Sequence, residues 1–190
     1  MPKETLQDNN TQGIKYLAFL RSINVGGNRK VKMEDLKKMM EDIGFQDVKT
    51  LIASGNICFM SEEKNAVEVR KKIEINLRDR FGFDIPVMLR TSHDIAKLVE
   101  GDPFKNIKVT KDTRLYITFL GEKPISTLKI PHHAPGKDFS ILKVTEGEVI
   151  SFLELSPANR TGDSMKIIEK EFGRCLTTRN WNTVLKTANL

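Results

Sequence analysis

Glycines and basic residues lie together in the stretch that follows the first apolar run of the sequence. Gly26 and Gly27 are adjacent, and Arg29 and Lys30 follow them after Asn28. Adjacent glycines can adopt positive φ and leave backbone N–H groups free to form an anion-binding nest. Basic side chains beside such a nest would add positive charge. The loop is therefore a candidate site for a phosphate group or another small anion.

The spacing within this loop limits that interpretation. It matches neither the G-x-x-x-x-G-K-[ST] pattern of P-loops nor the G-x-G-x-x-G pattern of dinucleotide-binding turns. Glu34 and Asp35 fall in the expected first turn of the next helix, where they would already interact with its dipole. A tight turn with solvated cations therefore stays open as the alternative. In both cases Arg21 and Asn24 lie where the preceding strand leaves the core.

Two more polar clusters could contribute to a site. Ser54 and Asn56 flank a glycine between two apolar runs, and Arg179 and Asn180 lie in a polar stretch near the end of the sequence. Amide and guanidinium groups are costly to bury without partners, so these side chains lie at the surface or in a polar network. The candidate ligand-binding set is Arg21, Asn24, Gly26, Gly27, Asn28, Arg29, Lys30, Ser54, Asn56, Arg179 and Asn180.

Residues for catalysis or metal binding do not form a recognisable set. His132 and His133 stand between prolines in an expected loop without a third ligand, so no metal site is predicted. Neither a Ser-His-Asp nor a Cys-His arrangement can be recognised, so the catalytic residues and cofactors are unassigned. Cys58 and Cys175 lie far apart among apolar neighbours, which indicates buried free thiols in a reducing compartment.

Hydrophobic periodicity predicts the elements that position these residues. Continuous apolar runs indicate buried strands, and spacings of three and four indicate helices. The predicted order is strand 15–21, helix 33–43, strands 47–54 and 56–61, helix 66–81 and strand 84–91. Pro86 must lie at the start of the last strand or on a sheet edge. This β-α-β-β-α-β order is the ferredoxin-like plan.

The second half repeats this order less clearly. It contains strand 113–120, at most a short helix over 123–130, strands 139–144 and 149–155, a helix ending at Gly173, and a short extended piece before a last helix. We therefore predict an α+β protein of two ferredoxin-like subdomains related by an internal duplication and packed together. Their expected bounds are 15–92 and 93–190, after a disordered lead-in of residues 1–14.

The first strand is apolar on both of its faces. Tyr16, Ala18 and Leu20 alternate with Leu17 and Phe19, so both faces of the sheet should be buried. The second unit, or a second subunit, should cover the face that the helices leave open. This favours a packed interface over the exposed aromatic platform with which an RNA-recognition motif stacks bases.

The overall composition is that of a globular protein with a moderate positive charge. The net charge of +6 is spread along the 190 residues without a basic tail, so an anionic partner is permitted. No apolar run approaches the roughly 20 residues of a membrane span, and the polar N-terminus lacks a signal sequence. We therefore expect a cytoplasmic protein without a membrane partner.

The most favoured function is binding of a small anionic or phosphorylated ligand, such as a nucleotide, at the Gly-Gly loop. Binding of RNA or DNA through scattered basic residues is a less favoured alternative, and a protein-interaction module is another. Enzyme activity and oligomeric state are left open by the sequence.

Four stretches carry a family resemblance. They are AFLRSINVGGNRKVKMEDLKKMMEDIGF, VKTLIASGNICF, FGFDIPVMLRT and LTTRNWNTVLK. In this order they resemble the mostly bacterial family catalogued as domain of unknown function 1697. The resemblance implies a two-part α+β structure with ferredoxin-like halves and implies no activity. The lead-in before Tyr16 is longer than the family pattern, and PHHAPGKDF has no match in it.

Overall fold

The computed structural model describes residues 13–26, 29–134, 138–156 and 161–190, with the backbone alone at 161–163. Its strands are β1 Ile14–Leu20, β2 Gln46–Leu51, β3 Asn56–Ser61, β4 Val87–Thr91, β5 Thr113–Leu120, β6 His132–His133, β7 Phe139–Val144, β8 Glu148–Glu154 and β9 Leu176–Asn180. Its helices are α1 Met33–Asp42, α2 Ala66–Phe81, α3 Ser92–Glu100, α4 Thr161–Phe172 and α5 Trp181–Ala188. The chain is thus an α+β protein. Most of the predicted lead-in, 1–12, lies outside the described residues, and β1 begins within its last part, at Ile14.

The first sheet is antiparallel throughout, with the strand order β2-β3-β1-β4. Its strands alternate with α1 and α2 in the predicted β-α-β-β-α-β order. Pro86 immediately precedes β4, which is an edge strand, as predicted. The Thr91 side chain caps α3 and forms a capping box with Asp94. Hydrophobic periodicity therefore predicted the order of elements in this half of the chain.

The second sheet is also antiparallel, with the order β6-β7-β8-β5-β9. Without β6, its order β7-β8-β5-β9 repeats the order β2-β3-β1-β4 of the first sheet. Residues 121–131 contain no helix, so a short helix over 123–130 does not form. His132 and His133 form β6, which pairs with β7, so the prediction of a loop there was wrong. The pairing of His132 with Ile141 is a tertiary contact that local sequence does not reveal.

The two sheets pack face to face, and the prediction that both faces of β1 are buried is confirmed. Tyr16, Ala18 and Leu20 lie in the core beneath α1 and α2. Leu17 and Phe19 lie in a second core, which the other sheet of the same chain covers. A third core lies between the second sheet and α4. Within the described ranges, no helix is long and apolar enough to cross a bilayer.

Rings from the central strands meet in the middle of this interface. Phe19 of β1 and Phe119 of β5 stack with centroids 3.9 Å apart and planes 11° apart. Both side chains are fully buried. Buried aromatic rings contribute a large apolar area together with a specific geometry, so this pair fixes how the sheets face one another.

Candidate functional site

The loop after β1 is held by the side chain of Asn24. Its Nδ2 donates to the carbonyl oxygens of Val31 and Ala53, both at 2.8 Å, and its Oδ1 accepts from the Val31 N–H at 2.8 Å. The Asn24 N–H also donates to the Arg29 carbonyl oxygen at 3.1 Å. These bonds close the loop and join it to the β2–β3 turn. The two polar loops therefore lie next to one another in the structure.

The β2–β3 turn packs closely against the end of β1. Gly55 has φ of +73°, and a Cβ built there would lie 2.6 Å from Ile23 Cδ1 and 2.8 Å from Leu20 Cβ. Its carbonyl oxygen accepts from the Leu20 N–H at 2.8 Å. Glycine is therefore required at this position by both its backbone conformation and the available space.

The loop after β1 contains several residues with a left-handed backbone. The φ angles are 53° at Ser22, 56° at Asn24, 66° at Gly26 and 54° at Arg29. A side chain in this conformation costs roughly 1–2 kcal/mol, and such residues persist where surrounding contacts determine the backbone. The bonds of Asn24 provide those contacts. The loop is thus held in one shape, and this shape directs its side chains towards a cavity.

The cavity beside the loop after β1 has a volume of about 560 Å³. It is lined by Arg21, Ser22, Val25, Arg29, Pro86 and Arg174. We name it the arginine cavity. Half of these residues are arginines, and none is acidic. The size is within the usual range for small-molecule sites. Residues from the loop, from the start of β4 and from the connection between α4 and β9 meet here.

The three arginines are held to different degrees. Arg21 is fixed, because its Nη2 donates to Glu169 Oε1 at 2.7 Å and its Nη1 to the Leu176 carbonyl oxygen at 3.3 Å. Arg29 lies over the Phe83 ring, 5.5 Å from the centroid. Neither Arg29 nor Arg174 forms an ion pair with any residue that the structure describes. The charge of these two guanidinium groups is therefore available to a ligand.

The buried guanidinium of Arg179 lies deeper, beneath the β2–β3 turn. Its Nε donates to Asn56 Oδ1 at 2.6 Å, and its Nη2 donates to the carbonyl oxygens of Leu20 at 2.7 Å and Ser54 at 2.8 Å. Its Nη1 donates to Thr177 Oγ1 at 2.7 Å. Burial lowers the pKa of Arg179 to about 10, so the side chain remains charged at neutral pH. Protein oxygens satisfy this charge without a carboxylate partner in the described part of the chain.

Arg90 of β4 makes the corresponding contacts from the first sheet to the second. Its Nε donates to Glu148 Oε1 at 2.6 Å, and its Nη2 donates to the carbonyl oxygens of Leu120 at 2.9 Å and Gly147 at 2.5 Å. Arg90 lies over the Phe119 ring at 5.6 Å, and Arg179 lies over the Phe19 ring at 5.9 Å. Arg90 of β4 therefore contacts β5 and the β7–β8 turn of the second sheet. Arg179 of β9 contacts β1 and the β2–β3 turn of the first sheet.

Comparison with known proteins places the chain in a family. The model of the family described as protein of unknown function (DUF1697) matches residues 14–149, from the start of β1 into β8. The chain belongs to the DUF1697 family. The match includes the loop after β1, Arg90 and both hairpin turns, and it ends before Arg174 and Arg179. No curated protein matches the chain.

A solved structure shares the fold of this DUF1697 chain. It is that of the conserved bacterial protein SP0830 from Streptococcus pneumoniae, with a TM-score of 0.70 and 23% sequence identity. The similarity covers 93% of this chain and 97% of that chain. At this identity the likeness concerns the fold alone. The fold of this DUF1697 member is thus found in a bacterial protein over nearly its whole length.

The structure divides the predicted ligand-binding residues of the DUF1697 chain into groups. Arg21 and Arg29 line the arginine cavity, and Gly26 lies in the loop that shapes it. Lys30 is exposed and is not among the residues that line the cavity. Gly27 and Asn28 lie outside the described residues.

The other predicted residues use their polar groups inside the protein. Asn56 is fully buried, and its Nδ2 donates to the Leu51 carbonyl oxygen at 3.0 Å and to Ser54 Oγ at 3.1 Å. Asn180 caps α5 by accepting from the Asn182 N–H at 3.0 Å. The roles of Asn24, Ser54, Asn56, Arg179 and Asn180 seen here are contacts within the protein.

Arg174 is the arginine of the cavity that sequence reasoning missed. It follows Gly173, which ends α4, and the chain brings it to the loop after β1 from almost 150 positions away. A basic residue after a helix end is common and carries no information about a partner so distant in sequence. Only the packing of α4 and β9 beside β1 reveals the third arginine.

The two cysteines of this DUF1697 protein lie in surroundings that disfavour the reactive thiolate. Cys58 and Cys175 are both free. Burial raises the pKa of each thiol, so both are protonated and weakly nucleophilic at neutral pH. The described residues contain no group of three or more His, Cys, Asp and Glu side chains that could hold a metal ion.

Proposed function

We propose that the arginine cavity binds a small anionic or phosphorylated ligand, for which a nucleotide is a candidate. The observation that carries this proposal is the meeting of Arg21, Arg29 and Arg174 at one cavity whose lining includes no acidic residue. A guanidinium group offers paired N–H donors that match the oxygens of a phosphate or carboxylate. Arg29 and Arg174, whose charges are available, favour an anion over a neutral or cationic ligand, and Arg21 adds oriented donors.

The three arginines would contribute to ligand binding in different ways. Arg21 is already oriented by Glu169 and the Leu176 carbonyl oxygen, so little conformational entropy is lost when it meets a ligand. Arg29 and Arg174 are exposed and can move onto the anion. Val25 and Pro86 provide apolar contacts in the same lining. The ligand would thus place its anionic group among the arginines and a less polar part against Val25 and Pro86.

A binding experiment on the full chain tests this function. Inorganic phosphate, ribose 5-phosphate and AMP would be screened by thermal shift, since a ligand at about 100 times its Kd stabilises the native state by about 2.7 kcal/mol. We expect the Arg29→Met/Arg174→Met variant to bind at least about tenfold more weakly, because each lost charged hydrogen bond contributes about 1.5–3 kcal/mol.

Lys30→Met is the matched control for this experiment. It removes a cation from the same loop but outside the cavity lining, so its affinity should stay within about twofold of the unchanged protein. Absence of binding to all three compounds would contradict the proposal. Equal affinities of the double variant and the unchanged protein would contradict it as well.

The packing of the sheets gives little support to nucleic-acid binding of the RNA-recognition type. Phe19 and Phe59, which lie on the two central strands of the first sheet, are both fully buried. Stacking on bases requires exposed rings. Binding through scattered Lys and Arg side chains would instead show an affinity that falls steeply with salt, and the salt response in the binding experiment separates it from binding in the cavity.

We further propose that residues 15–92 and 93–190 are ferredoxin-like subdomains produced by an internal duplication. The shared strand order and the reciprocal contacts of Arg90 and Arg179 support this origin. Superposing β1–β4 on β5, β7, β8 and β9 tests it, and matched Cα positions are expected. A best fit that does not place Phe19 on Phe119 would contradict the duplication.

A further inference from the structure

A second cavity adjoins the arginine cavity at Pro86. Its volume is about 350 Å³, and we name it the acidic cavity. Its lining consists of Arg70, Glu74, Asp84, Ile85, Pro86, Glu122 and Cys175. Pro86 belongs to both linings, and Arg174 of the arginine cavity is followed directly in the chain by Cys175 of the acidic cavity. The two cavities are therefore neighbours.

The two cavities lie at corresponding ends of the two sheets. Arg21 follows β1, and its N–H donates to the Pro86 carbonyl oxygen at 3.0 Å. Gly121 follows β5, and its N–H donates to the Cys175 carbonyl oxygen at 2.7 Å. Each bond joins the residue after a central strand to the residue before an edge strand, β4 or β9. The cavities thus occupy corresponding places in the two halves, although the charges of their linings differ in sign.

The carboxylates of the acidic cavity outnumber its cations. Glu74 is held in place, because its Oε1 accepts from the Val87 N–H at 2.9 Å. Asp84 and Glu122 are exposed, and neither forms an ion pair within the described ranges of the chain. Arg70 supplies the positive charge of this lining, and its Nη1 donates to a backbone oxygen of the loop after β5 at 3.0 Å. The lining thus combines three carboxylates with one guanidinium group.

The guanidinium of Arg70 has one donor that the protein leaves unused. Its Nε is buried and has no acceptor in the described part of the chain. Buried polar groups are normally hydrogen-bonded, so a donor without a partner requires an explanation. An oxygen atom of a bound ligand or of an ordered water in the adjoining cavity would satisfy it.

The charges of both cavities act on the thiol of Cys175, which lies where the cavities meet. Burial raises the pKa of Cys175, Glu122 and Glu74 raise it further, and Arg70 and Arg21 lower it. Charges in salt solution are screened beyond roughly 10 Å. Carboxylates of the acidic cavity and Arg21 of the arginine cavity therefore lie within a short distance of the same atom.

We propose that the ligand of the arginine cavity carries an ammonium group besides its phosphate, and that this group lies in the acidic cavity beside Asp84 and Glu122. The phosphate would meet Arg29 and Arg174, and the carbon atoms between the two charged groups would cross Pro86. A second phosphate in the acidic cavity would be repelled by its carboxylates, which favours a single phosphate. The inference rests on the function proposed for the arginine cavity and narrows the ligand class to phosphorylated amines.

Isothermal titration calorimetry with the full chain tests this class. Aminoalkyl phosphates of two, four and six carbons are compared with alkyl phosphates in which a methyl group replaces the ammonium group. We expect the best aminoalkyl phosphate to bind about three- to tenfold more tightly than its methyl counterpart, because two exposed carboxylates each contribute a modest ion pair. Asp84→Asn/Glu122→Gln should reduce this preference to below about twofold and leave the affinity for the alkyl phosphate within about twofold.

Two further variants control the measurement. Glu100→Gln removes an exposed carboxylate at the end of α3, outside both linings, and should keep the full preference. Arg29→Met/Arg174→Met should weaken the binding of both kinds of phosphate by a similar factor, because the phosphate group is common to them.

A phosphorylated amine can be a free molecule or the headgroup of a phospholipid. Glycerophosphoethanolamine, a soluble form of that headgroup, is therefore titrated beside 2-aminoethyl phosphate. Tighter binding of the first would assign the site to a lipid headgroup, and tighter binding of the second would assign it to a free phosphate ester.

The outcomes separate this inference from the function on which it rests. Alkyl phosphates that bind through Arg29 and Arg174, without any gain from the ammonium group, would overturn the inference and leave the proposed function standing. A preference that survives in Asp84→Asn/Glu122→Gln would overturn the inference as well. Failure of every phosphate to bind would overturn both.

Discussion

Replacement of Arg179 by methionine is expected to lower the free energy of unfolding by about 3 kcal/mol or more. The change removes the donors to the carbonyl oxygens of Leu20 and Ser54 and to the amide oxygen of Asn56, and only Leu20 keeps another side-chain donor, Thr177 Oγ1 at 3.3 Å. Each buried acceptor left without a donor costs about 1–3 kcal/mol. Urea denaturation at neutral pH, followed by the fluorescence of Trp181, measures the difference.

Two companion variants separate the shape of the Arg179 side chain from its charge. Arg179→Lys keeps the charge but lacks the planar fork that reaches several acceptors at once, so it should recover less than half of the loss. Arg174→Met removes an exposed arginine and should stay within about 0.5 kcal/mol of the unchanged protein. A loss below about 1 kcal/mol for Arg179→Met would show that this network does not hold the two sheets together.

Truncation of either central ring should have a similarly large effect. We expect Phe19→Ala and Phe119→Ala each to lower the free energy of unfolding by about 3–5 kcal/mol, as other buried phenylalanines do. Both rings are fully buried, and their centroids are 3.9 Å apart. The double variant should lose about 1 kcal/mol less than the sum of the two single changes, because the direct ring contact is then counted once.

Phe83→Ala provides the comparison for the central pair. Phe83 is half-buried beneath Arg29, away from the interface between the sheets. Its removal should cost less than half as much as the removal of Phe19. Strict additivity of Phe19→Ala and Phe119→Ala in the same urea titrations would mean that the stack adds nothing beyond the burial of each ring.

The first half of the fold was predictable because its local patterns agree with its tertiary contacts. The alternation of Tyr16, Leu17 and Ala18 assigned each side chain of β1 to a face, and both faces are buried as expected. The strand boundary at Asn56 followed from the glycine turn before it. In these places the hydrophobic pattern and the turn chemistry point to one structure.

The second half was less predictable because one of its segments lacks a periodic pattern and one of its strands depends on a distant partner. Residues 121–131 have no periodicity of either kind and form no helix. His132 and His133 form a strand only because they pair with the edge of β7. A pairing of two residues contributes too weak a local signal to be recognised from the sequence.

The candidate site was predictable only in part, for a similar reason. Arg21 and Arg29 were recognised because glycines and basic residues follow a strand in one continuous stretch. Arg174 could not be recognised, because its proximity to them arises from the packing of α4 and β9. For Arg179 the sequence left a choice between an exposed residue and a polar network, and burial of the side chain decides for the network.

The reciprocal contacts of Arg90 and Arg179 have a consequence for how the chain resists proteolysis. Each hairpin turn has carbonyl oxygens that accept hydrogen bonds from an arginine of the other half. Unfolding of one half therefore removes hydrogen-bond donors from the hairpin turn of the other half, which destabilises that half as well. The two halves should open together as one cooperative unit, so that a protease acting on the native protein meets either a closed chain or one open along its whole length.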